Sequence, residues 1–140
     1  MSEPDPWIMR FCELVSGDVL DLACGGGRHT RYFLERGNRV TALDRDTSAL
    51  SDIAGKAGLE IVTANLESAA PWPLGERQFG AVIVTNYLWR PLLPHIVRAV
   101  AEDGVLLYRT FAQGHEAYGR PHNPDYLLRP GELLDAVSGK

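Results

Sequence analysis

Residues 19–28 read VLDLACGGGR, and the remainder of the chain is best understood from this segment. An apolar run ends at Asp21-Leu22, three consecutive glycines follow, and a segment with helical spacing begins near Arg28. The pattern predicts a strand, a tight turn and a helix start, which is how α/β proteins build a nucleotide-binding loop. Glycine suits such a turn because it adopts positive φ and because a Cβ would keep a ligand away from the backbone.

Apolar, strand-like segments alternate with helix-like segments along the whole chain. The predicted strands span residues 18–22, 40–44, 59–64, 79–85 and 105–111. Helical spacing predicts helices over 7–15, 28–36, about 47–57, from 91 to a stop at 102–104, and over 130–137. The strand at 79–85 is apolar throughout, so we place it centrally. The alternation predicts a Rossmann-like, doubly wound α/β fold, with a mostly parallel sheet of about five strands flanked by helices.

Length and charge narrow the class of protein. The 140 residues fit one domain, 1–140, and the net charge of -4 argues against a broad nucleic-acid-binding surface. No apolar run approaches the roughly 18 to 20 residues of a membrane span, and the acidic N-terminus lacks the pattern of a signal peptide. The two cysteines, Cys12 and Cys24, form no disulfide framework, which favours a cytoplasmic location.

Polar residues follow or end four of the predicted strands: Asp21, Asp44, Asn65 and Asn86. In parallel sheets ligands bind outside the carboxyl ends of the strands, so we expect these side chains to meet at one site. Each also has a purely structural alternative: Asp44 as a helix N-cap, Asn65 as a turn residue, and Asn86 as a cap. The glycine triplet has a structural alternative too, a plain turn, which the presence of both Asp21 and Asp44 disfavours.

A dinucleotide fingerprint, G-x-G-x-x-G, is absent from the glycine-rich loop. The third glycine position is Thr30 when counted from Gly25, and Arg28 when counted from Ala23. An NAD(P)-binding protein is therefore the less favoured alternative.

The D-x-A-C-G-G-G sequence of residues 21–27 resembles the acidic-x-G-x-G-x-G motif of class I S-adenosylmethionine-dependent methyltransferases. An acid ending the second strand, N-L-E after the third and F-x-x-V-I-V-T-N-Y-L around the fourth are similar as well. The resemblance extends from Val19 to Val137. Within the superfamily the chain looks most like small bacterial methyltransferases of the tellurite-resistance type or of unassigned subfamily.

The resemblance implies that the strand ends bind S-adenosylmethionine. Gly25 and Gly27 would let the backbone approach the methionine moiety, and Asp21 would orient its amino group. Asp44 would accept both ribose hydroxyls, and Asn65 would bind the adenine edge, where an aspartate is common in the family. The implied cofactor-binding residues are Asp21, Ala23, Cys24, Gly25, Gly27, Asp44, Arg45, Asn65, Leu66, Asn86 and Tyr87. Ala23 replaces the first glycine of the motif, a change that a negative φ would allow.

Methyl transfer requires orientation, a desolvated pocket and, for some acceptors, a base. The catalytic candidates are His115 as general base, Tyr87 facing the sulfonium by a cation–π contact, and Arg90 binding an anionic acceptor. A solvated loop histidine and a surface ion pair are the structural alternatives for His115 and Arg90. His115, Glu116 and His122 lack the H-E-x-x-H spacing, so no metal site is predicted.

We therefore predict an S-adenosylmethionine-dependent methyltransferase that acts on a small molecule by in-line displacement. The alternative is a cofactor-binding domain without catalysis. The class I fold normally continues with further strands after the helix at 130–137, so we expect either a C-terminally truncated domain or a natural protein with a five-stranded sheet. Its fifth strand would be a sheet edge and a possible homodimer contact, whereas nucleic acid and membrane are not expected partners.

Overall fold

The computed structural model describes residues 3–112, 114–117, 123 and 127–138. Five parallel strands form one sheet in the order β3-β2-β1-β4-β5, which confirms the predicted Rossmann-like α/β fold. The strands are β1 (Val19–Leu22), β2 (Val40–Asp44), β3 (Leu59–Thr63), β4 (Phe79–Thr85) and β5 (Val100–Arg109). The α-helices are α1 (Pro6–Arg10), α2 (Arg28–Glu35), α3 (Leu93–Ala99) and α4 (Glu132–Ala136).

The sheet carries an apolar core on each face because alternate residues of a strand point to opposite sides. In β4, Val82 and Val84 pack in one core cluster, whereas Ala81 and Ile83 pack in the other. All four are fully buried, as their unbroken apolar run predicts. The middle position, however, belongs to β1, and β4 lies between β1 and β5.

The strand order reverses between β1 and β4, and this reversal positions the site. The chain runs outward from β1 to β2 and β3, and then returns to the other side of β1 as β4. The connections after β1 and β4 therefore leave the sheet in opposite directions and open a crevice at its carboxyl edge.

The predicted helix over about 47–57 is wrong. A single 3-10 turn spans Ser48–Leu50 and is followed by turns whose hydrogen bonds link residues three apart, as from Ile53 N–H to the Leu50 carbonyl at 3.0 Å. Gly55 has φ +85, which no residue of an α-helix adopts. Local turn chemistry therefore overrides the amphipathic spacing.

The expected helix stop at 102–104 is also wrong, because the strand has already begun. Helix α3 ends at Ala99, and Val100 pairs with Phe79 of β4. A shift in register between Phe79 and Ala81 then lets Glu102 and Asp103 project into solvent before regular pairing resumes. At the N-terminus, the helix expected over 7–15 divides into α1 and a 3-10 turn, Cys12–Leu14.

Strand β5 has one hydrogen-bonded neighbour within the described part of the chain, as expected of an edge strand. Across the described residues no helix has the length and hydropathy that crossing a membrane requires.

Candidate functional site

Two clefts meet at the carboxyl ends of β1, β2 and β4. The glycine-loop cleft, of about 680 Å³, is lined by residues 23–26, by Thr85 and Asn86, and by four residues of the flanking segments, Arg28, Arg31, Ala49 and Asp52. The Asp44 cleft, of about 260 Å³, is lined by Ala23, Asp44, Arg45, 64–67, Asn86 and Tyr87. Ala23 and Asn86 line both clefts, so Asp44, Asn65 and Asn86 do come together, whereas Asp21 lines neither cleft.

The Asp44 carboxylate links the two clefts through the glycine-rich loop. Its Oδ2 accepts the backbone N–H of Gly25 at 2.8 Å, and its Oδ1 accepts that of Asp46 at 3.3 Å. Carboxylate oxygens have further lone pairs, so hydroxyl donors can still bind to Asp44 from within its cleft.

Gly25 and Gly27 serve different purposes. A Cβ on Gly25 would have no protein atom within 4 Å, so this backbone is open to a ligand in the glycine-loop cleft. A Cβ on Gly27 would lie 2.3 Å from Leu50 Cδ2, and φ there is +82. Gly27 thus lets the start of α2 pack against the 3-10 turn after β2. Gly27 is not among the residues that line the glycine-loop cleft.

The backbone is strained where the clefts join. Ala23 has φ 56 and Asn86 has φ 57, and no other non-glycine residue in the described ranges has positive φ. The negative φ that would excuse an alanine at position 23 is therefore not what the structure shows. Such conformations cost on the order of 1–2 kcal/mol and concentrate at functional sites.

Asp21 lies behind the loop and holds the start of helix α2. The side chain is 3% exposed, and its Oδ2 accepts the Thr30 hydroxyl at 2.7 Å. Burial raises the pKa of Asp21 to about 6, an effect that hydrogen bonds from the Thr30 hydroxyl and backbone partly offset. Because Gly27 has no side chain to cap the helix, Asp21 supplies the acceptor from β1.

Cys24 contributes a neutral thiol to the glycine-loop cleft. The residue is buried, and burial, followed by the negative charges of Asp21 and Asp44, raises its pKa to about 12. The thiol therefore stays protonated at neutral pH.

Asn65 combines the two roles that the sequence left open. Its Oδ1 accepts the Glu67 N–H at 3.0 Å as a turn residue does, while the side chain also lines the Asp44 cleft. Its amide NH₂ donors have no competing role in that turn. Leu66 lines the same cleft and packs against one core cluster, and Arg45 is exposed at the rim.

Tyr87 lines the Asp44 cleft, whereas the other two catalytic candidates do not line either cleft in the part of the chain described. Arg90 makes a bidentate ion pair with Glu132, with Nε–Oε2 at 2.5 Å and Nη2–Oε1 at 2.9 Å. His115 lies in a 3-10 turn with its ring 4.4 Å from that of Phe111.

Residues 113, 118–122 and 124–126, which include His122 and much of the expected acceptor wall, lie outside the described residues. Among the residues that are described, no cluster of three or more His, Cys, Asp or Glu side chains could hold a metal ion.

Two arginines of the glycine-loop cleft were missed from the sequence. Arg31 is neutralised by Asp52, with contacts of 2.6 and 2.8 Å. Arg28 donates to the Glu3 carbonyl at 3.4 Å, interacts electrostatically with the carboxylates of Asp5 and Asp21, and lines the glycine-loop cleft. Their spacing of three residues at the start of a helix, one turn after the loop, is the signal that could have found them.

Comparison with known proteins places the fold and the loop in one family. The family described as "Methyltransferase domain" matches residues 19–104, which is more than half of the chain. An S-adenosylmethionine-dependent methyltransferase structure from Mesorhizobium loti superimposes with a TM-score of 0.73 at 19% identity, over 94% of this chain and 77% of that one. A glycopeptide N-methyltransferase complexed with S-adenosylmethionine gives 0.61 at 25% identity, over 86% and 55%.

Three curated relatives are similar over shorter lengths. The 2-heptyl-1-hydroxyquinolin-4(1H)-one methyltransferase of Mycobacteroides abscessus is 32% identical over 59% of this chain and 39% of that protein. The malonyl-[acyl-carrier protein] O-methyltransferase of Salmonella typhimurium is 32% identical over 69% and 39%. The ribosomal RNA small subunit methyltransferase H of Gemmatimonas aurantiaca is 55% identical over 29% and 13%.

This chain thus spans between 13% and 39% of the length of these relatives. The family match covers the glycine-rich loop and strands β1 to β4, which carry both clefts. On its sequence and its fold, the chain belongs to the methyltransferase domain family and is a class I S-adenosylmethionine-dependent methyltransferase domain.

Proposed function

We propose that the two clefts together bind S-adenosylmethionine and that the domain, 1–140, transfers a methyl group to a small-molecule acceptor. The observation that carries the proposal is the junction of the clefts. There the Asp44 carboxylate and the open Gly25 backbone stand on either side of Ala23 and Asn86.

The Asp44 cleft fits the adenosine part of the cofactor. Asp44 would accept the two ribose hydroxyls, and the Asn65 amide would donate to the adenine edge. Leu66 would contact one face of the ring, and Arg45 would lie at the rim.

The glycine-loop cleft fits the methionine part. Ala23, Cys24 and Gly25 would contact it through backbone atoms, and Arg28 would bind its carboxylate. Gly27 and Asp21 would act indirectly, by holding the loop and helix α2 in position.

When bound, S-adenosylmethionine supplies an electrophilic methyl group on a sulfonium sulfur. The residues of the chain would orient that group and exclude water from it. Asn86 and Tyr87, at the end of β4, would form the wall beside the sulfonium, where the Tyr87 ring favours a cation.

Two kinds of acceptor chemistry fit this domain, one that needs a base and one that does not. His115 would act as a general base for a protic acceptor, and Arg90 would contribute only by releasing Glu132. A soft acceptor such as a thiolate or metalloid, as the tellurite-resistance type suggests, would need no base. The relative named for 2-heptyl-1-hydroxyquinolin-4(1H)-one supports a small acceptor, and the net charge of -4 does not favour RNA.

Calorimetry with S-adenosylhomocysteine tests the cofactor, with NAD as the comparison ligand. We expect saturable binding of S-adenosylhomocysteine and no binding of NAD. Folded protein that does not bind S-adenosylhomocysteine would contradict the proposal. Transfer of a radiolabelled methyl group to a hydroxyquinolone, a malonyl thioester or an RNA oligonucleotide then tests the acceptor class.

A cofactor-binding domain without catalysis is the second candidate function. The observation that favours it is that Arg90 and His115 lie away from the lining of both clefts. Binding without turnover on any acceptor class would support it.

Two further proposals concern the setting of the domain. The free, buried Cys12 and Cys24 support a cytoplasmic location. The β5 edge supports a homodimer formed by strand pairing, which light scattering would test by giving twice the monomer mass.

A further inference from the structure

A third cavity, of about 340 Å³, adjoins the Asp44 cleft on the side away from the glycine-rich loop. We call it the tryptophan cavity, because Trp72 and Trp89 line it together with three prolines. Three consecutive residues, 64–66, line both this cavity and the Asp44 cleft. The two spaces are therefore separated by one short segment that contains Asn65.

The walls of the tryptophan cavity are flat and rigid. The Trp72 ring stacks on His95 with centroids 5.3 Å apart and an interplanar angle of 6°. Trp72 and Trp89 both pack against the buried core. Pro71, Pro73 and Pro91 restrict the backbone around them. A ligand would therefore lose little free energy in ordering this cavity.

The lining of the cavity favours a neutral ligand. No Asp, Glu, Lys or Arg is among the residues that line the cavity in the described structure. Ser68 donates to the Asn65 carbonyl at 2.9 Å and accepts the Ala70 N–H at 3.2 Å, so its hydroxyl is already engaged. The cavity thus suits a neutral, planar, largely apolar group, and its volume lies in the range of small-ligand sites.

We propose that the tryptophan cavity is an adenine-edge subsite, which takes a neutral aromatic group attached to the adenine amino group of the ligand in the Asp44 cleft. The inference rests on the proposed function, because Asn65 and Leu66 are the residues assigned there to adenine. A group on that edge would pass Asn65 into the cavity. Neither Asn86 nor Tyr87, the residues assigned to the wall beside the sulfonium, lines this cavity, so we treat it as separate from the acceptor site.

The test compares S-adenosylhomocysteine with N6-benzyl-S-adenosylhomocysteine by calorimetry on the full chain. We expect the benzyl compound to bind at least about 5-fold more tightly, because its ring leaves water for an apolar cavity. Ala70→Phe should fill the cavity and abolish this gain. Ala69→Phe is the matched control, because Ala69 is also exposed but does not line the cavity.

The outcomes separate this inference from the proposed function. Weaker binding of the benzyl compound than of S-adenosylhomocysteine would overturn the subsite alone. The same conclusion would follow if the gain in affinity from the benzyl group persisted in Ala70→Phe, or if Ala69→Phe lost it equally. If neither compound binds to folded protein, the proposed function fails and the subsite fails with it. Both variants are checked for native circular dichroism and for unchanged affinity toward S-adenosylhomocysteine.

Discussion

The Asp44 carboxylate accepts the backbone N–H of Gly25 at 2.8 Å, so the acid that ends β2 fixes the loop that follows β1. One side chain therefore holds the loop and faces the cleft assigned to the ribose. This double role makes Asp44 the most sensitive point of the proposed cofactor site.

Asp44→Asn should weaken S-adenosylhomocysteine binding by about 10- to 100-fold, because hydrogen bonds to a charged group contribute about 1.5–3 kcal/mol. Calorimetry measures the change. Asp46→Asn is the control: this exposed carboxylate accepts the Ser48 N–H and does not line the clefts, so affinity should stay within about 2-fold. Equal affinities for wild type and Asp44→Asn would contradict the assignment.

Gly27→Ala should destabilise the fold by about 2–3 kcal/mol, because the new Cβ would meet Leu50 Cδ2 and because φ is +82. Gly25→Ala should cost only about 1 kcal/mol, from its φ alone, yet should weaken ligand binding more. Urea denaturation and calorimetry measure the two effects. If the contact is the cause, Gly27→Ala combined with Leu50→Ala should show less than the sum of the two single losses.

Ala23→Gly should stabilise the protein by up to about 1 kcal/mol, because glycine adopts φ 56 without steric cost. The melting temperature and the urea midpoint report the change. Ala42→Gly, at a fully buried position of β2, is a comparison in which the same substitution should destabilise. A loss of stability in Ala23→Gly would show that the methyl group contributes packing that outweighs the strain.

Two buried groups should give opposing pH dependence of stability. Burial, with a contribution from Arg28, lowers the pKa of His29 to about 4, and its Nε2 accepts the Asp5 N–H at 3.0 Å. The folded state therefore binds fewer protons than the unfolded chain, and stability is lost as pH falls from about 6.5 to 4. Burial raises the pKa of Asp21 to about 6, so its contribution is lost as pH rises from about 3.8 to 6.

The protonation of His29 and that of Asp21 each change the free energy of unfolding by about 2–3 kcal/mol. Because the two changes have opposite signs, they nearly cancel between about pH 4 and 6. We expect Asp21→Asn to leave stability that rises with pH across this window, and His29→Gln to leave stability that falls. Unfolding free energies in urea measure the slopes. If the unfolding free energy of the wild type depended on pH more steeply than that of either variant, the two groups would not have opposing effects.

The Arg90–Glu132 ion pair should hold helix α4 against the segment after β4. Hydrogen bonds from Arg90 hold the pKa of Glu132 at about 2, so this contribution is present above about pH 4.5 and is lost as pH falls toward 2. Glu132→Gln should destabilise by about 1–3 kcal/mol with little change in S-adenosylhomocysteine affinity. Asp135→Asn, on the same helix, is the control. A large loss of ligand affinity in Glu132→Gln would instead tie Arg90 to the site.

The local pattern of the sequence was enough to predict the loop and most of the sheet. Strands β2 and β4 were predicted to the residue, because an apolar run bounded by polar residues or glycine has few other stable conformations in a buried parallel sheet. The positions of Asp44 at the end of a strand and of Gly25 and Gly27 in a turn were predictable in the same way, because strand ends and turns are specified by neighbouring residues. The predicted helix over about 47–57 failed because spacing alone does not report a turn that contains Gly55.

Only the tertiary structure decided which side chains face the clefts. Asp21 is the penultimate residue of β1 and Asp44 the last residue of β2, yet Asp21 turns to Thr30 and Asp44 turns to Gly25 and the cleft. Arg90 was expected near the acceptor and is held by Glu132, a partner 42 residues away. The physical reason is the same in each case: periodicity reflects burial along one segment, whereas orientation toward a ligand depends on partners supplied by distant segments.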